Sequence, residues 1–242
     1  AHAGDLTVLD GTGKVLMPGL INLHNHVSMT LLRGYADDMA LMPWLTEKIW
    51  PFEAKMTADD VYLGAQLGIA EMLLGGTTTF VDMYWHADEV IRAAREGGIR
   101  GIICPTFVGA NYDAFEVEAL RILQDPALAS DERIRVRIAP HAPYTCPPET
   151  IRRALALCER FGVGIHTHVS ETRDEQQMVM ETYGKTPAEY LRDLGMFDYP
   201  TLAAHCVWLS ESDMDIFARF MTAREKKRNE RWNIRKACGL TA

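Results

Sequence analysis

Six times along this chain a short apolar or β-branched run gives way to a longer stretch of helical periodicity, and four of the six runs end in histidine. The runs are PGLINLHNH (18–26), TTTFVDMYWH (77–86), IRGIICPTF (99–107), RIRVRIAPH (133–141), VGIHTHVSE (163–171) and TLAAHCV (201–207). Strands that alternate with helices build a parallel sheet with right-handed crossovers. Helices are predicted at 59–74, 87–96, within 113–124, 148–161, 173–183 and 187–194, with another beginning near Ser210. Thr57 and Asp60 have capping-box spacing before the first, and Gly75 and Gly76 close it. No GxGxxG or GxxxxGK[ST] turn follows a strand, so a doubly wound nucleotide fold lacks its signature. Polar residues of catalytic type at the strand ends favour a (β/α) barrel instead. The 242 residues fall near the roughly 250 of a single barrel. The expected class is α/β, a barrel of the (β/α)8 type with about six units present.

The first run is read as a buried strand carrying two histidines two residues apart. Alternate side chains of a strand share a face, so His24 and His26 point the same way. Later strand ends supply Asp82 and His86, His141, His166, His168 and Glu171, and His205. Any one of these histidines reads equally well as a hydrogen-bonded core residue. Chance would rarely place six of eight histidines at the ends of four strands, so the set is read as a metal site. A catalytic zinc site takes three protein ligands and leaves a position open for water. His24, His26 and His168, from strands one and five, are the expected ligands. His166 lies deeper on the same face and is expected to be structural. Glu171 stands where it can take a proton from the activated water and pass it to a ring nitrogen or leaving group. Its alternative role is a carboxylate favouring the dipole of the following helix.

Residues 27–56 form a long connection rich in Met, Leu, Trp and Phe, either a lid or a packing loop beside the site. The net charge of −8 is uneven. Residues 221–242 carry seven Lys and Arg against two Glu, leaving 18 basic and 31 acidic residues in 1–220. An acidic body argues against nucleic acid as partner, and no apolar run is long enough to span a membrane. Five scattered cysteines without a CxxC pair suggest reduced thiols and a cytoplasmic location.

PGLINLHNH, EMLLGGTTTFVDMYW, APHAPYTC, HTHVSE and AAHCVWL, in that order, resemble the amidohydrolase superfamily. Within it the likeness is to the 5-methylthioadenosine/S-adenosylhomocysteine deaminase branch and its chlorohydrolase relatives, over about residues 8 to 217. The resemblance implies metal ligation by His24, His26 and His168, with zinc or, alternatively, iron, one ion per chain. It implies Glu171 as proton shuttle and His205 as the group orienting the attacking water. Trp44 and Glu53 match positions that contact the nucleoside, the Glu accepting from ribose hydroxyls, and His141 matches a substrate contact. The implied partners are a small nucleoside and water. The arginines that some members use for the carboxylate end of S-adenosylhomocysteine have no counterpart in CPTFVGANYDAF.

The same resemblance divides the chain into a β-sandwich remnant (1–17), a partial barrel (18–220) and a basic tail (221–242). After DIFARF no seventh or eighth strand is recognised, and the tail has no Asp to match the family's strand-eight ligand. That reads as a truncated or frame-shifted product, with a homo-oligomer as one way to cover the open edges. Three activities compete: a nucleoside deaminase, a hydrolase of other heteroaromatic substituents, and an inactive remnant.

Overall fold

The computed structural model describes residues 8–110 and 112–220. Residues 1–7, Asn111 and the basic segment 221–242 lie outside the described residues.

Six strands form one sheet: β1 (Leu20–Asn25), β2 (Thr77–Tyr84), β3 (Arg100–Phe107), β4 (Ile134–Pro140), β5 (Gly164–Val169) and β6 (Thr201–His205). Each pairs in parallel with its neighbour in sequence, in the order β1-β2-β3-β4-β5-β6. A doubly wound sheet reverses its order at a switch point. This one never does, so every crossover advances in one direction, as in a barrel. The side chains confirm the curl: the His24 ring on β1 lies 5.0 Å from His166 on β5 and 5.2 Å from His205 on β6. The architecture is that of an incomplete (β/α) barrel.

The crossover helices are α1 (Ala58–Leu74), α2 (Ala87–Gly97), α3 (Tyr112–Leu123), α4 (Pro148–Phe161), and α5 (Arg173–Tyr183) with α6 (Pro187–Asp193). A further helical turn spans Pro126–Ala129, and residues 211–220 are helical. The expected capping box is made: Thr57 Oγ1 accepts from the Asp60 amide, and the Asp60 carboxylate accepts from the Thr57 amide at 2.8 Å. Two layers of core lie between sheet and helices. One is built around Phe80, Val90, Ile99 and Ile103, and the other around Phe107, Ile138, Ile151, Ile165 and Leu191. A smaller cluster of Val81, Met83, Cys104 and Ala139 fills part of the concave side.

Two expectations need correction. β1 is not buried: Leu20, Ile21 and Leu23 are 53–61% exposed. It pairs only with β2 among the described residues, so its outer side has no neighbour. Residues 8–17 form no strand. Lys14 donates back to the Gly11 carbonyl in a tight turn, and Val15 and Leu16 are almost fully exposed. Alternating hydrophobicity cannot make a strand without a partner for its backbone. Four cysteines are free, with Cys104, Cys146 and Cys158 buried; Cys238 lies outside the described residues. No helix among the described residues is long and apolar enough to cross a membrane.

Candidate active site

Where β1 ends, the backbone turns into a 3-10 helix (Val27–Leu32), and the Val27 amide donates to the buried carboxylate of Asp82 at 2.6 Å. That bond ties the end of β1 to β2 just past His26. His24 and His26 then face the concave side, their ring centroids 4.9 Å apart. β5 brings His168 to 4.9 Å from His24 and 5.3 Å from His26. One ligand atom from each of the three lies within 4.8 Å of the other two, so the trio could hold a metal ion.

The hydrogen bonds behind the trio assign its protons. His166 Nδ1 lies 2.9 Å from the Leu202 carbonyl, which only accepts, so that nitrogen carries the proton. In the neutral ring His166 Nε2 is then an acceptor, and His24 Nδ1–H donates to it at 2.8 Å. His26 Nδ1 donates to the Met83 carbonyl at 2.6 Å. The Nε2 atoms of both His24 and His26 are therefore bare lone pairs. His168 Nε2 lies only 3.2 Å from His24 Nε2, while its Nδ1 is buried with no partner. Burial, with the neighbouring histidines, pulls His24 down to about 3 and His168 well below its ordinary value. Burial also lowers His26. Three neutral imidazoles with converging lone pairs are the donor set a borderline divalent ion takes. These residues fit the group.

His141 and His205 close the ring cluster. Their ring centroids lie 4.7 and 5.0 Å from that of His168. Thr145 donates to the Ala142 carbonyl and so accepts from His141 Nδ1, at 2.8 Å, which leaves His141 Nε2 open. His205 Nε2 lies 3.6 Å from Glu171 Oε1. Burial raises the Glu171 carboxyl above its ordinary range and lowers His205.

Non-glycine residues in the left-handed region mark these strand ends: Ser170, His205 and Cys206 have φ of 53°, 69° and 55°. Such conformations persist only where the surroundings hold them. Glu175 does so at β5, its carboxylate accepting from the Ser170 amide at 2.9 Å and the Glu171 amide at 2.7 Å. Sequence reading passed over Glu175, although Thr172-x-x-Glu175 has the capping-box spacing that marks such a residue. It also passed over Tyr84, whose hydroxyl donates to Glu53 at 2.8 Å.

The 27–56 connection is helical in part. Leu41–Pro43, a π-turn over Trp44–Ile49 and Trp50–Glu53 run on from one another. Trp44, Leu45, Ile49, Trp50 and Glu53 all face one cavity with His26, Tyr84 and His141. Widening to i→i+5 bonds aligns residues five apart, such as Trp44 and Ile49. The predicted contacts Trp44, Glu53 and His141 are thus brought together beside the histidines. The cavity measures about 50 Å³, room for a water or two and not for a bicyclic base. A planar substrate therefore requires the 41–53 segment to move outward. His86 does not join the cluster: it sits in the left-handed region ahead of α2, two residues beyond the end of β2. Asp82 also faces away from the ions' position, toward the Val27 amide.

A singly wound parallel sheet with convergent imidazoles at the C-terminal ends of its strands defines a barrel hydrolase of the metal-binding kind. The chain belongs to the amidohydrolase family, whose model matches residues 15–238. It is 46% identical over 213 residues to a 5-methylthioadenosine/S-adenosylhomocysteine deaminase of Halothermothrix orenii, covering 88% of this chain and 49% of that protein. A protein of the same name from Pelotomaculum thermopropionicum is 47% identical over 212 residues, covering 87% and 49%. The chain thus spans about half the length of the curated relatives it matches. Among solved structures, an adenosine deaminase of Xanthomonas campestris with bound zinc superposes with a TM-score of 0.79 at 34% identity, covering 84% of this chain and 47% of that one. A guanine deaminase from C. acetobutylicum, at 23% identity, shares the fold with a TM-score of 0.77 over 84% and 52%.

Proposed function

We propose that this chain carries the active centre of a metal-dependent aminohydrolase that releases ammonia from C6 of an adenosine bearing a 5′-thioether. The observation that carries the reading is the 46–47% identity to relatives named for that reaction, over 87–88% of the chain. The convergence of His24, His26 and His168 with Glu171, His205 and Glu53 supports it.

His24, His26 and His168 would hold the ion, with zinc the metal best matched to three imidazoles. When bound, such an ion lowers the pKa of a coordinated water toward neutrality. Glu171 takes the water's proton and delivers it to the ring nitrogen beside C6. Its raised pKa suits a group that must both accept and return a proton. His205, 3.6 Å from Glu171, orients the attacking oxygen. Oxygen adds to C6, the C6–N bond breaks, and the amine leaves as ammonia. Glu53, held by Tyr84, accepts from the ribose hydroxyls, and His141 accepts from the substrate through Nε2. Trp44 covers the base.

The test is ammonia release from 5′-methylthioadenosine and S-adenosylhomocysteine by the zinc-loaded chain. Turnover lost in Glu171→Gln with zinc retained supports the reading. No turnover of either compound sinks it.

A further inference from the structure

Beyond Glu53 the cavity over the histidines continues into a second, larger one. Trp50, Glu53 and Trp85 line both, and the second has a volume of about 360 Å³. Its remaining walls are apolar: Met56, Val61, Val108 and Phe115 with the methyl of Ala54. The Trp85 and Phe115 rings stack across it, centroids 5.9 Å apart at 30°. The polar groups on its wall are Glu53 and the imidazole of His86, and no lysine or arginine lines it among the described residues. The sequence allows none nearby on the β3–α3 side, since residues 101–120 contain neither. Lys55 opens instead onto a separate cavity with Leu31, Phe52 and Asp60.

This inference rests on the reading above. With the base toward the histidines and the ribose on Glu53, the 5′ substituent points into the second cavity. We infer that this cavity is a binding site for an uncharged thioether substituent, and that it selects 5′-alkylthio nucleosides against those carrying an amino-acid zwitterion. A thioether sulfur gains from the edges of Trp50, Trp85 and Phe115, and an alkyl chain gains by leaving water. The homocysteine tail would instead bring a carboxylate into an apolar slot whose one charged side chain is another carboxylate. A carboxylate desolvated without a partner is strongly disfavoured. The volume exceeds what a methylthio group fills, so the slot also admits longer alkyl chains.

The decisive pair of ligands is 5′-propylthio-5′-deoxyadenosine and S-adenosylhomocysteine, which share a three-carbon chain and differ by the ammonium and carboxylate. Binding to the zinc-loaded chain is read from tryptophan fluorescence, because Trp50 and Trp85 line the slot, with 5′-methylthioadenosine alongside. Both alkylthio compounds should bind at least about tenfold more tightly than S-adenosylhomocysteine. Phe115→Arg, which places a cation in the wall, should narrow that ratio. S-adenosylhomocysteine binding as tightly as the alkylthio pair, or no binding by any of the three, overturns the inference. Ammonia release, assayed in parallel, separates the two claims. Turnover without the preference leaves the function and removes this site; the preference without turnover does the reverse.

Discussion

His166 Nε2 stands 2.8 Å behind His24 Nδ1, and its own Nδ1 donates to the Leu202 carbonyl. A residue read from sequence as structural therefore fixes the tautomer of an expected metal ligand. Partners of this kind are worth about 10–100-fold in metal affinity. His166→Leu and His166→Asn should weaken zinc binding by that factor, because neither can accept from His24 Nδ1. His166→Gln, with a carboxamide oxygen near the Nε2 position, should stay close to wild type. Competition with a chromophoric chelator measures all three, and equal affinities would remove the role.

Glu171 is tied down through its neighbour's amide and its own by Glu175. Glu171→Gln should lower ammonia release by about 10²–10⁴-fold while metal content and melting temperature stay near wild type. Loss of the metal in the variant would mean that the carboxylate serves the ion and not the proton.

Glu53 lies at the junction of the two cavities and is held by Tyr84. Glu53→Gln should raise KM for a ribosylated substrate and scarcely affect a bare heteroaromatic ring. Steady-state kinetics on a nucleoside and its free base decide between a nucleoside enzyme and the competing heteroaromatic hydrolase.

Asp82 is fully buried, and burial raises its carboxyl from 3.8 to about 7. Between those values the folded chain holds a proton that the unfolded chain has lost. Stability therefore falls as pH rises through that window, by up to roughly 1.4 kcal/mol per pH unit. Asp82→Asn keeps an acceptor for the Val27 amide and removes the titration. The variant should gain on wild type steadily from pH 4 to pH 7, with the difference level above that. Urea unfolding at several pH values gives the curve, and a constant difference would contradict the assignment.

Much of the fold was legible because its signals are local. The strand–helix alternation, the Thr57–Asp60 cap and the glycine stop at Gly162 each depend on a few adjacent residues, and each stands in the structure. The ring cluster was legible as well, since strand ends share one rim of a parallel sheet. What escaped depends on residues distant in sequence. The exposure of Leu20, Ile21 and Leu23 follows from which strands flank β1, and the run itself says nothing of that. The role of His166 follows from where His24 and Leu202 come to rest. His86 was misread because two residues beyond the strand suffice to turn a side chain out of the rim. The amide-holding role of Glu175 lay within reach, four residues from Glu171, but its carboxylate serves residues before the cap and not the cap itself.

The close approach of His24 to His168 joins positions 144 residues apart. An ion shared between them is a noncovalent staple, closing a loop whose entropic cost the bare chain would otherwise meet through packing alone. β1 is bonded to the sheet only through β2 among the described residues, so the staple acts where the backbone ladder does not. A chelator would then do more than remove the chemistry. It would free the first strand's rim from the fifth's, making the curl of the sheet a quantity set by metal supply.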